Sequence, residues 1–123
     1  MSDAPALEAL LRAVPFAGEL GIALEEAAPA RVEAALAWTP ELCTVGGVLH
    51  GGALMALADT AGAVCAFLNL PPGASTSTVE SKTNFFRAVR SSSGRPGNCW
   101  CASPWTCCRR RSWPRRRGAG RRP

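Results

Sequence analysis

The spacing of hydrophobic positions changes several times along the chain, and each change marks an expected element. Between Pro5 and Val14, the residues Leu7, Leu10, Leu11 and Val14 fall on one helical face, with Ser2 or Asp3 placed to cap the N-terminus. Pro15 and Gly18 are expected to end that helix. From Leu20 to Glu25 and from Arg31 to Trp38 apolar and polar residues alternate weakly, which predicts two strands. Pro29 between them forbids one continuous helix, and the interval is too short for two good ones. Pro40 and the paired Gly46 and Gly47 predict a loop over 39–47. The period then becomes helical, with Leu54, Leu57, Ala61, Val64, Cys65 and Leu68 sharing a face, and a helix is expected over about 49–68. Asn69-Leu70-Pro71-Pro72-Gly73 should stop it. Residues 76–89, rich in Thr, Val and Phe, predict one long strand. The pattern therefore describes an α+β chain in which one long apolar helix lies against antiparallel strands.

Composition divides the 123 residues in two. Residues 1–90 hold five Lys/Arg against nine Asp/Glu, whereas residues 91–123 hold nine Arg and no acid. Four of the six Cys and three of the four Trp also fall in this second part, which contains no Leu, Ile, Val, Met or Phe. Such a segment buries too little aliphatic surface to offset its ordering entropy, so irregular chain is expected after Arg90. The first ninety residues carry the domain. The N-terminal Met1-Ser2-Asp3-Ala4-Pro5 has neither the basic lead nor the apolar run of a secretory leader, so the expected compartment is the cytoplasm, with reduced thiols. The apolar run at 48–68 approaches membrane-spanning length, but it contains His50 and Asp59. A carboxylate in mid-span costs about 3 kcal/mol, and no membrane is expected as a partner.

The candidate chemistry is concentrated in the same run. His50-Gly51-Gly52 opens the helix and Asp59 is its only charged side chain. A carboxylate in a segment destined for burial is costly, and active sites are where that cost is usually tolerated. Gly51 and Gly52 fall in the first turn, where backbone N–H groups lack helical partners and the positive end of the helix dipole faces outward. Without Cβ atoms they let a ligand oxygen approach those donors, as an oxyanion-type site requires. The bland readings are an Asp59 bonded to a neighbouring hydroxyl such as that of Thr60, a His50 that only caps or packs, and glycines that merely relieve crowding.

The run Thr44-Val45-Gly46-Gly47-Val48-Leu49-His50-Gly51-Gly52, with Asp59 seven residues further on, resembles the PaaI-like branch of the hotdog-fold acyl-CoA thioesterases. The resemblance covers roughly residues 20–90. It implies a hotdog fold, in which a curved antiparallel sheet wraps a central helix, and hydrolysis of short-chain or aromatic acyl-CoA thioesters. It implies that the backbone N–H of Gly51 or Gly52 binds the thioester oxygen. Asp59 would serve as base or nucleophile from the opposing subunit, so a homodimer or tetramer is expected. His50 would shape the substrate loop. Neither cofactor nor metal is implied. Many members carry Asn where this chain has Thr44, whose hydroxyl donates one hydrogen bond without the amide's reach. Thr78 stands where some members use a Ser to position the attacking water. Lys82, Arg87 and Arg90 are either contacts for the coenzyme A phosphates or ordinary surface charge.

In this family three further strands follow the one expected at 76–89, and they form the middle of the sheet. None is recognisable after Arg90, so the sheet is expected to be incomplete, the apolar helix face uncovered, and the 123-residue chain poorly folded with little or no activity. A non-catalytic acyl-thioester-binding protein is the first alternative, because of Thr44. The second is a polyanion binder using Arg109-Arg110-Arg111 and Arg115-Arg116-Arg117 with nearby Trp. Specific nucleic-acid binding is not expected, since such clusters hold any polyanion. Cys99-Trp100-Cys101 and Cys107-Cys108 do not match zinc-knuckle spacing. Arg, Pro, Gly, Ala, Cys, Trp and Ser make up 31 of the 33 residues after Arg90, the vocabulary of GC-rich codons read out of frame. A one-base shift of the coding DNA near Arg90 is accordingly expected to restore alternating Val-rich strands. Sequencing that DNA checks the expectation, and a shifted frame that yields no such strands refutes it.

Overall fold

The structure, a computed structural model, describes residues 3–90 together with the backbone of residues 98–102. Helix α1 spans Ala4–Arg12, with Pro5 in its first turn, where a missing N–H costs nothing. Asp3 occupies the N-cap without a side-chain bond, and Ser2 lies outside the described residues. Pro15 does more than end α1, because it also opens a second short helix, α2, over Pro15–Glu19. The same property explains both roles: proline cannot continue a helix but is pre-set to begin one.

Strands β1 (Ile22–Ala28) and β2 (Arg31–Ala37) form the expected antiparallel hairpin. The weak alternation of β1 has a structural cause. Its register shifts between Leu24 and Glu26, leaving Glu25 as the extra residue of a bulge. Ile22 and Leu24 face the core before the shift and Ala27 faces it afterwards, so Glu26 stays outside. Glu26 then pairs directly with Glu33 across the ladder, an unfavourable match that Arg31 relieves by bonding Glu33 and approaching Glu26 at 3.6 Å. The hydrogen bond and charge of Glu33 raise the Arg31 pKa above its usual value.

The long helix α3 runs over Gly51–Leu68, two residues later than the periodicity alone suggests, because Leu49 is held in a bridge to Cys43 and His50 is the cap. By length and composition α3 could cross a membrane. Here it packs on both β2 and β1. Ala53, Leu54, Leu57, Ala61, Val64 and Cys65 meet Ile22, Leu24, Val32, Ala34 and Leu36 in one cluster that α1 and α2 close with Leu7 and Ala17. The helix face expected to lie bare is therefore covered by the first hairpin. At its far end, the Asn69 amide donates to the carbonyls of Pro29 and Cys65, each at 2.8 Å, tying α3 to the β1–β2 turn.

Two expectations need correction. Residues 76–89 form no strand: they run irregularly over α3, and at their end Leu49 N–H donates to Val89 O at 2.8 Å beside a Val48–Arg90 bridge. β-branched and aromatic residues make a strand only where an edge is available to pair. The edge of β2 is taken instead by β3, Asn98–Ala102, which runs antiparallel to it and gives the sheet order β1-β2-β3. The tail thus supplies a strand where irregular chain was expected. The remaining tail residues, with the arginine clusters and Cys107-Cys108, lie outside the described residues. Leu57 is fully buried at the centre of the cluster. Leu57→Ala should cost about 2–5 kcal/mol, read as a shift of the denaturation midpoint.

Candidate active site

The geometry of the site begins at the N-terminus of α3, where four backbone donors need partners outside the helix. His50 N–H donates to Leu42 O at 2.8 Å, and Ala53 N–H to His50 O at 3.0 Å. Gly52 N–H donates to the His50 ring at Nδ1, also 2.8 Å. Among the described residues, the N–H of Gly51 is left without a partner. The pair of candidate donors therefore separates into two roles: Gly52 completes the cap, and Gly51 presents the free donor at the positive end of the helix.

Each glycine allows a different close approach. A Cβ on Gly52 would lie 3.0 Å from His50 Nδ1, so a side chain there would crowd the ring that caps its N–H. A Cβ on Gly51 would lie 3.1 Å from Cζ of Phe85. His50 itself is exposed and acts as the cap, and its Nδ1 must be unprotonated to accept the bond.

Thr44 reaches this end of the helix through a tight turn. Thr44 N–H donates to Val48 O at 2.7 Å and Gly47 N–H returns to Thr44 O at 3.0 Å, with Gly47 at φ +66°, which a side chain would strain. Arg90 donates from Nη1 to Gly46 O at 2.9 Å and so holds the turn, which commits one of the three candidate phosphate contacts to the protein itself. Thr44, Gly51, Leu54, Phe85 and Arg87 line one hollow of about 410 Å³.

Asp59 opens into a different hollow, of about 560 Å³, with Gly62, Ala63, Thr78 and Lys82 on its walls. The carboxylate is half-buried, and Thr78 Oγ1 donates to its Oδ1 at 2.9 Å. The partner of the acid is thus Thr78, nineteen residues away, rather than the adjacent Thr60. Two of the residues picked out by sequence meet here, and the other four, Thr44, His50, Gly51 and Gly52, meet at the helix start. At 1.5 Å per residue the two groups are about 12 Å apart along α3. Phe85 was not singled out by the sequence, although an aromatic pair at 85–86 in an otherwise polar stretch is a signal that could have found it.

A free glycine N–H at the start of a long helix, an acid two turns on and an antiparallel hairpin behind it are the arrangement expected of a hotdog domain. Residues 46–93 match the thioesterase superfamily. Over 81 residues the chain is 35% identical to a Mycobacterium tuberculosis protein named as an esterase, Rv1847 in strain H37Rv and MT1895 in strain CDC 1551. The match takes in 63% of this chain and 58% of that protein, so the chain spans less than two thirds of the length of its curated relatives. The solved structure of Rv1847/MT1895 superposes with a TM-score of 0.65 at 31% identity, covering 72% of this chain and 68% of that one. Thioesterase HI1161 of Haemophilus influenzae gives 0.67 at 28% identity, over 78% of this chain and 65% of its own. The PaaI protein of the E. coli phenylacetic acid degradation operon shares the fold, with a TM-score of 0.66 at 20% identity over 77% of this chain and 64% of that one. The chain belongs to the thioesterase superfamily.

The cap predicts the effect of removing it. His50→Ala leaves Gly52 N–H without its acceptor and should cost about 1 kcal/mol of stability. In the same variant the Gly52 amide should exchange with solvent faster than in the parent, measured by NMR. Unchanged exchange at Gly52 would show that the ring does not hold it.

Proposed function

We propose that the chain hydrolyses acyl-CoA thioesters, with short-chain or aromatic acyl groups, in the manner of the PaaI-like branch, and that each site is shared by two copies of the chain. The observation that carries this reading is the separation of Gly51 from Asp59. Attack requires reacting atoms about 3–3.5 Å apart, whereas these two groups open into different hollows about 12 Å apart along one helix. A second copy supplying Asp59 to the Gly51 of the first would bring them together.

In that arrangement the thioester oxygen accepts the Gly51 N–H, and Thr44 can add one hydroxyl donor. Charge gathers on this oxygen as the tetrahedral intermediate forms, where the fixed dipole of α3 favours it. Asp59 removes a proton from water as the water oxygen attacks the carbonyl carbon. Collapse breaks the C–S bond, and the proton passes to the departing thiolate, leaving a carboxylic acid and free coenzyme A. Thr78 donates to Asp59 Oδ1. Its oxygen lone pairs remain able to accept from the attacking water, and Oδ2 stays open as the base.

Asp59→Asn should lower kcat by about 10²–10⁴-fold in a thiol-release assay on acyl-CoA substrates. Thr78→Val should lower it by about ten- to a hundredfold. An Asp59→Asn chain as fast as the parent would remove Asp59 from the chemistry.

Sharing of the site has its own test. Gly51→Pro deletes the free N–H at the one helical position where proline is favoured, after a residue already extended at ψ 135°. Neither this variant nor Asp59→Asn should turn over alone. Mixed one to one with subunit exchange, they should recover about a quarter of parental activity, because half the dimers then hold one intact site. No recovery in a mixture shown to contain heterodimers would place both groups in one chain.

A further inference from the structure

Phe85 stands against the one donor that the start of α3 leaves free. Where a Cβ on Gly51 would sit, Phe85 places Cζ at 3.1 Å and both Cε atoms at 3.5 Å, so the ring rests on the bare Cα of the glycine. The absence of a side chain at 51 thus serves two ends, exposing the N–H and admitting the ring. Phe85 is 54% exposed, which leaves the rest of the ring as open wall. Val48, Leu54 and Val89 continue that wall with apolar surface, in a hollow of about 410 Å³. That volume is within the range of small-molecule sites.

Resting on the function proposed above, the geometry points to Phe85 as the residue that selects the acyl group. A carbonyl oxygen bonded to Gly51 N–H has its substituent one bond from the carbonyl carbon, and that substituent must lie along the ring. A flat aromatic acyl group gains an edge-to-face or offset-stacked contact there, whereas an acetyl group is too small to reach across the ring. Contacts of this kind are worth about two- to tenfold in binding beyond the area they bury. Asp59 and Thr78 line the other hollow, so Phe85 acts on substrate binding and not on the base. Its signature is a change in KM with kcat preserved.

The test measures kcat and KM of the full 123-residue chain and its Phe85→Ala and Phe85→Leu variants on acetyl-, butyryl- and benzoyl-CoA. Phe85→Ala should raise KM for benzoyl-CoA by about two- to tenfold, keep kcat within about twofold and leave acetyl-CoA unaffected. Phe85→Leu should fall between, and it retains packing volume should the alanine variant unfold. Equal changes on all three thioesters, or none, overturn the role of Phe85 and leave the hydrolase reading standing. A parent chain without turnover on any of them overturns that reading and this role with it. A structural readout accompanies the kinetics: Gly51→Ala should shift Tm more favourably in the Phe85→Ala background than in the parent, since the ring that its methyl meets is gone. Equal shifts in both backgrounds refute the contact.

Discussion

Everything in the described chain depends on how the apolar stripe of α3 is buried. Val32 and Leu36 of β2 and Leu57 of α3 are fully enclosed, and the small Ala34, Ala53 and Ala61 around them let helix and sheet approach closely. Packing at that closeness leaves little freedom to rotate the helix about its axis. Once the stripe is fixed, the orientation of Asp59 and the exit point of Gly51 are fixed as well. The candidate site residues are thus positioned by the packing of buried side chains, and the bulge at Glu25 contributes by returning Ala27 to the core side.

The parts legible in the sequence were those whose signal is local. Helical spacing from Leu54 to Cys65 identified both α3 and its buried face, and Pro29 with its flanking residues identified the hairpin. The His-Gly-Gly motif placed the helix start to within two residues. It could not apportion the donors, because whether Gly52 or Gly51 stays free depends on the direction taken by the His50 ring. Similarly, Asp59 and Thr78 were each chosen alone, and their hydrogen bond required the chain to fold back over nineteen positions.

The misread segments share one cause. A strand is a relation between two stretches of chain, and propensity describes only one of them. Residues 76–89 have the composition of a strand, yet among the described residues they pair with none of β1, β2 and β3. Asn98–Ala102, with none of the expected β-branched residues, lies along β2 and pairs through its backbone. Ladder hydrogen bonds are indifferent to side-chain identity, so a free edge can recruit a stretch that no pattern would nominate.

Asn69 shows how far such backbone ties extend the reach of the core. It is exposed and lines neither hollow, yet its single amide nitrogen spends both hydrogens on carbonyls from different elements. Aspartate at this position would present only acceptors to two acceptors, and serine would be too short to span them. Position 69 is therefore less free to vary than its exposure suggests. Solvent accessibility is in this instance a poor guide to which surface residues an engineer could recode freely.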